Sequence, residues 1–99
     1  MRFEWDEAKN RENIRKHRID FADVTTVFDA PMLAAPDTRK DYGEDRWVGI
    51  GFLGPGIVVV IFVERTRDVI RIVSARKATR REREAFAKEI GDRLGPSGW

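Results

Sequence analysis

RWVGIGFLGPGIVVVIFVERTRDVIRIVSAR, residues 46–76, is dense in β-branched and aromatic side chains and carries only two turn signals. It predicts three strands, Arg46 to Leu53, Ile57 to Glu64 and Val69 to Arg76. Gly54-Pro55-Gly56 joins the first two as a hairpin and Arg65 to Asp68 joins the second pair, so the strands run antiparallel. The central strand is apolar on both sides and should be covered on both. With a three-residue first loop, Arg46 stands opposite Glu64; with a four-residue second loop, Phe62 stands opposite Arg71. One face then carries Val48, Ile50 and Phe52, Val58 and Val60, and Val73 and Ala75, with Arg46, Glu64 and Arg71 at one end. The expectation is a carboxylate between two guanidiniums at a sheet end. A one-residue bulge would send these side chains to opposite faces.

Towards the N terminus, "RFEW" reads as a short strand, and Asp6 caps a helix through about Lys16 whose apolar contacts are few, Ala8 and Ile14. Asp20 caps a second helix in which Phe21, Val24, Val27 and Phe28 recur at helical spacing until Ala30-Pro31 stops it. "MLAAP" reads as a short strand and "DTRKDYGEDR" as a solvent-exposed loop. Towards the C terminus, Thr79 and Glu82 form a capping box, and Phe86, Ile90 and Leu94 make the apolar stripe of a third helix. Gly91 weakens its last turn. The expected fold is an α+β domain over residues 1–94, followed by a flexible tail at 95–99. Two N-terminal helices and a C-terminal helix pack on one face of a small antiparallel sheet, and the other face stays partly open.

A chain of 99 residues, 41% hydrophobic and 36% charged, suits one small domain with one core. Its longest apolar run, Ile57 to Val63, is far short of the roughly 20 residues that cross a bilayer. The start "MRFEWDEAKN" lacks the apolar core of a signal peptide. A cytoplasmic location without membrane partners is expected. The absence of cysteine excludes disulfides, thiolate zinc sites and cysteine nucleophiles. Net charge is only +2, yet residues 71–83 hold six basic side chains against one acid, Glu82, which points to a polyanionic partner.

"FEWDE", "KH" followed by Ile-Asp-Phe, "VFDAP", "GEDRW" and above all "SARKATRRERE" stand in an order and spacing that resemble the BrnT family of toxins. The resemblance runs from Arg2 to about Phe86. It implies a RelE-like fold and a ribonuclease that arrests growth by cutting RNA. It also implies a cognate antitoxin, the ribbon-helix-helix protein BrnA, which neutralises the toxin and, as a complex with it, represses their shared operon. Operator DNA would thus be met only through that complex. The chain departs from the family at Arg18, where glycine commonly follows the histidine; a non-glycine residue disfavours the left-handed helix cap.

Cutting RNA without a metal needs a base for the 2′-hydroxyl proton, cations for the charge growing on phosphorus, and an acid for the departing 5′-oxygen. Glu64 suits the first task and Arg46 with Arg71 the second; the alternative is a cross-strand ion pair with no catalytic role. Arg76, Lys77, Arg80 and Arg81 lie where the last strand meets the last helix, a place suited to anions. A solvated helix face with Arg–Glu pairs explains Arg81 and Arg83 as well. The predicted pairing puts Arg76 about 20 Å from Glu64 along the sheet. Either RNA spans the two clusters, or one of them serves the antitoxin. His17, the only histidine, is the obvious acid–base candidate by residue type and otherwise a core or capping residue. Trp47 and Tyr42 suit base stacking; Trp47 equally suits the core, since its face carries Gly49 and Gly51, where a helix can approach. The candidate catalytic residues are therefore Arg46, Glu64, Arg76 and His17, and the candidate RNA-binding residues Arg71, Lys77, Arg80, Trp47 and Arg39. No metal-ligand spacing, nucleophile motif or glycine-rich phosphate loop is present, so neither metal nor cofactor is expected. Two functions follow: a metal-independent endoribonuclease that inhibits translation and growth, or a non-catalytic basic module that binds RNA or DNA with a partner protein.

Overall fold

The computed structural model describes residues 1–94. Asp6 accepts the N–H groups of Ala8 (2.8 Å) and Lys9 (3.1 Å) and so starts α1 (Glu7–His17), which follows the short strand β1 (Arg2–Glu4). Asp20 likewise caps α2 (Phe21–Val24), a single α-turn that continues as a 3₁₀ helix over Thr25–Asp29. The change of geometry suits the sequence. Phe21, Val24 and Val27 stand three apart, the repeat of a 3₁₀ helix, and all three are fully buried. Strands β2 (Met32–Pro36), β3 (Trp47–Leu53), β4 (Gly56–Thr66) and β5 (Val69–Lys77) follow, then α3 (Arg80–Leu94). The fold is mixed α+β with a five-stranded sheet in the order β1-β5-β4-β3-β2. The expected flexible tail at 95–99 lies outside the described residues. Among the described residues no helix is long and apolar enough to cross a membrane.

Three expectations change. The sheet is not wholly antiparallel, because β1 runs parallel to β5 with Phe3 beside Ile70. A strand so distant in sequence from its partner has no hairpin to set its direction. Next, Leu53 pairs with Gly56, so the first loop has two residues, Gly54 at φ +58° and Pro55. Trp47 thus lies opposite Phe62, which brings Arg46 level with Val63 and not with Glu64. A slip of one residue reverses the face of every side chain in the strand. Finally, Thr66 pairs with Val69, so the second loop has two residues, Arg67 and Asp68, not four; an irregularity at Arg65 then puts Arg71 opposite Val63, and Val73 is an extra residue in β5 between the Phe62–Ile72 and Ile61–Ser74 pairs.

The resulting faces differ from those expected. Val58, Val60, Phe62, Ile70, Ile72 and Ala75 pack with Ile19, Phe21, Val24 and Val27 in the main core, and Trp47 joins them. A Cβ on Gly51 would lie 2.8 Å from Val27 Cγ1, so glycine permits the 3₁₀ helix to approach β3. The opposite face of the sheet carries Val48, Val59, Ile61, Ser74 and Arg76 by the same alternation. Here α3 enters, with Phe86 edge-on to Phe52 at 5.1 Å between centroids. Helices therefore meet both faces, not one.

The packed side of α1 is polar. β1 ends its pairing at Glu4–Arg71, which leaves the rest of β5 without a strand on its outer side. Asn13 fills that vacancy: its Oδ1 accepts the Ala75 N–H at 3.1 Å and its Nδ2 donates to the Ile19 carbonyl at 3.0 Å. Asn10 accepts the Phe21 N–H at 2.9 Å and donates to Asp20 at 3.0 Å. The helix ends despite the lack of glycine, because Arg18 itself takes the left-handed conformation, φ 60° and ψ 30°, and donates its N–H to the Ile14 carbonyl.

Candidate active site

The bulged β5, the edge-on α1 and the loop after β2 converge on a cavity of about 210 Å³ lined by His17, Arg39, Val48, Val59, Ile61, Ser74, Ala75 and Arg76. Its floor is the second face of the sheet. His17 reaches it because α1 leans on the open edge of β5 and stops there, so the histidine is exposed and not a core residue. Arg76 projects from the end of β5 opposite Val59, and Arg39 comes from the long loop. Three candidates from separate parts of the chain are thereby brought together, and among the described residues no carboxylate lines the cavity with them.

Both arginines are held by carboxylates set behind them. Arg76 donates through its two terminal nitrogens to the two oxygens of Glu82, at 2.7 and 2.9 Å. Glu82 also accepts the Thr79 N–H at 2.8 Å, while Thr79 Oγ1 accepts the Glu82 N–H at 3.1 Å, closing the expected capping box. The Arg76 guanidinium and the Thr79 N–H together pull the Glu82 carboxyl down to about 2. Arg39 donates from Nε and Nη2 to the two oxygens of Asp37, both at 2.8 Å, and its backbone N–H adds a third bond at 3.3 Å. The Asp37 carboxyl, held first by the Arg39 side chain, likewise falls to about 2. Such two-point pairs fix the guanidinium plane and leave further N–H groups for another acceptor. The pKa of Arg76 is raised by Glu82 and opposed by burial and by the positive charge of Arg39, so the two cations sense each other.

The other candidates are elsewhere. Glu64 is exposed and lies five residues along β4 from Val59, about 17 Å at the usual rise. It lines two larger, more open cavities at the far end of the sheet, one of about 670 Å³ with Glu44, Asp45 and Arg65 and one of about 740 Å³ with Tyr42, Arg46 and Trp47. Among the described residues it makes no ion pair with Arg46 or Arg71. Arg46 pairs instead with Glu44 at 3.1 Å and lies over the Tyr42 ring, 4.2 Å from its centroid. Arg71 is half-buried near Asp6, whose carboxyl it helps to lower after the Lys9 and Ala8 N–H bonds and the Lys9 charge. Much of the cation run is tied up locally, with Arg80 on Glu84 at 3.0 Å and Arg83 on the Ala78 carbonyl at 3.0 Å. Lys77 and Arg81 are exposed and have no ion pair among the described residues. No group of three or more His, Asp or Glu side chains is placed to hold a metal among the described residues. Asp37 and Ser74 were not anticipated; the Asp-x-Arg spacing of residues 37–39 was the available signal.

The model of a known family, the ribonuclease toxin BrnT of type II toxin-antitoxin systems, matches residues 5–82. The chain belongs to the BrnT family. Its fold agrees with the crystal structure of the Brucella abortus ribonuclease toxin BrnT, to which it is 32% identical, with a TM-score of 0.61 over 81% of this chain and 99% of that one. No curated protein matches. The BrnT match includes His17, Arg39 and Arg76 and ends at Glu82, the residue that anchors Arg76. Membership makes the chain a ribonuclease toxin of a type II system, with a cognate antitoxin as its partner.

Proposed function

We propose that the His17–Arg39–Arg76 cavity is the active site of an endoribonuclease that needs no metal. The observation that carries this reading is a cavity where two oriented guanidiniums and an imidazole meet, with no lining carboxylate among the described residues. Two cations that repel across such a space are relieved by an anion between them, and a phosphodiester is that anion. His17 takes the 2′-hydroxyl proton, the 2′-oxygen attacks phosphorus, and Arg39 with Arg76 holds the charge that grows on the phosphoryl oxygens. The 5′-oxygen leaves with a proton returned by His17 or water, giving a 2′,3′-cyclic phosphate and a 5′-hydroxyl. Glu64 has no part at this distance; with Arg46 and Trp47 it borders the flanking path of the strand or the antitoxin.

The family resemblance supports the rest of the reading. It gives a RelE-like fold, inhibition of translation and growth, and a ribbon-helix-helix antitoxin of the BrnA type. That antitoxin covers the cavity and carries the toxin to operator DNA in the cytoplasm. The test is incubation of the purified protein with end-labelled RNA in EDTA. We expect fragments with cyclic-phosphate ends. Arg39→Ala, Arg76→Ala and His17→Ala should each slow cleavage about 10²–10³-fold while weakening RNA affinity less. RNA that is bound but stays intact would replace this reading with the non-catalytic binding module.

A further inference from the structure

We infer that Asp37 is a positioning residue for the cleavage reaction, a buried carboxylate that aims Arg39 into the cavity; this rests on the active-site reading above. The two partners differ sharply in environment. The Asp37 side chain is 0% exposed, whereas that of Arg39 is 68% exposed. An arginine so exposed in a long loop ordinarily samples many rotamers, and repulsion from Arg76 would turn it towards solvent. Asp37 opposes both tendencies, because both its oxygens engage the guanidinium at 2.8 Å and fix its plane.

The backbone does not require a charged side chain at this position, since the bond that Asp37 Oδ1 accepts from the Arg39 N–H at 3.3 Å is one that asparagine also makes. The Asp37 N–H already continues the β2–β3 ladder by donating to the Arg46 carbonyl at 2.7 Å, a bond that any non-proline residue could make. A buried acid is costly unless paired, so the side chain is explained by what it holds. Tyr42, which lies beneath the Arg46 guanidinium, adds a last, small lowering of the Asp37 carboxyl pKa. Among the described residues the carboxylate directs its hydrogen bonds to Arg39 alone, and Arg39 is the residue of this loop that lines the cavity. Glu82 plays a similar part for Arg76, but it also caps α3, so its substitution mixes two effects. Asp37→Asn keeps an oxygen for the Arg39 N–H and so isolates the positioning effect.

The experiment is a double-mutant cycle of the full chain, D37N, R39A and D37N/R39A, with kcat and KM measured on an RNA that has one cleavage site. D37N should lower kcat about 10- to 10²-fold with little change in KM, the scale expected for a misplaced catalytic group. In the R39A background D37N should lower kcat no further, since there is no guanidinium left to aim. A second measurement holds even if D37N folds poorly. R39A strands a buried carboxylate, so D37N/R39A should melt at a higher temperature than R39A. An equal kcat loss from D37N in both backgrounds, or no gain in melting temperature, overturns the inference. Wild-type kcat in D37N alongside an impaired R39A overturns it while sparing the active-site reading. Wild-type kcat in R39A overturns both.

Discussion

Glu82 caps α3 and anchors Arg76, which the proposed function places at the scissile phosphate, and two substitutions separate these roles. Glu82→Ala removes the acceptor for the Thr79 N–H and both acceptors for Arg76. Loss of a helix-start cap costs about 0.5–1 kcal/mol. The ion pair adds at most roughly 0.5–1 kcal/mol, because side chains 43% and 32% exposed are screened by solvent. The sum, about 1–2 kcal/mol, corresponds to a melting temperature lower by roughly 5–15 °C in a domain of this size. Glu82→Gln keeps an oxygen for Thr79 and loses the charge and one guanidinium contact, so the drop should be about half as large or less. Both variants release Arg76 from its two-point anchor, and both should lower kcat on RNA by about tenfold or more while the fold persists. Thermal melts and single-turnover cleavage read the two effects side by side. Equal melting losses for the two variants would show that the cap does not reside in Glu82. Full turnover by Glu82→Gln would show that Arg76 needs no carboxylate behind it.

Gly51→Ala should cost about 1–3 kcal/mol in urea unfolding, because the new Cβ lies 2.8 Å from Val27 Cγ1 and 3.2 Å from Met32 Cβ in a packed layer; a loss below about 0.5 kcal/mol would mean that the 3₁₀ helix yields freely. Arg18→Gly relieves a side chain at φ 60° and should raise stability by about 0.5–1 kcal/mol in the same assay. A decrease would show that the arginine side chain stabilises the helix end. Asp37 and Glu82 have folded carboxyl pKa values of about 2, below their ordinary 3.8 and 4.5. Their stabilisation is thus complete above about pH 4.5 and is lost as pH falls towards 2. Melting temperatures that do not change over that window would contradict both pairings.

Where a feature depends on neighbours in sequence, it was legible. Asp6 and Asp20 announce their helices, Thr79 with Glu82 announces α3, and β3 to β5 follow from composition and turns. Register was not, since Gly54-Pro55-Gly56 is compatible with loops of two or three residues and one residue reverses every face. Neither the extra Val73 nor the parallel docking of β1 carries a local mark. At the site, His17 and Arg76 stood out by residue type, and Arg39 was set among the cations. Glu64 was misplaced because its position followed from register alone. The meeting of His17 with Arg39 and Arg76 depends on α1 lying against a strand edge, a contact made through asparagines that an apolar pattern does not reveal.

The docking of both β1 and α1 on β5 also sets how late in its own synthesis the chain can close. Phe3 finds Ile70 only after most of the chain exists, and the open stretch of β5 that receives Asn13 comes later still. His17 and Arg39 are translated early but have no cavity to line, because Arg76 and its anchor Glu82 come last. Pairings so far apart in sequence form late in folding. A chain stalled before β5 is complete therefore carries the His17 imidazole and the Arg39 guanidinium without the strand and the Arg76 side chain that complete their cavity.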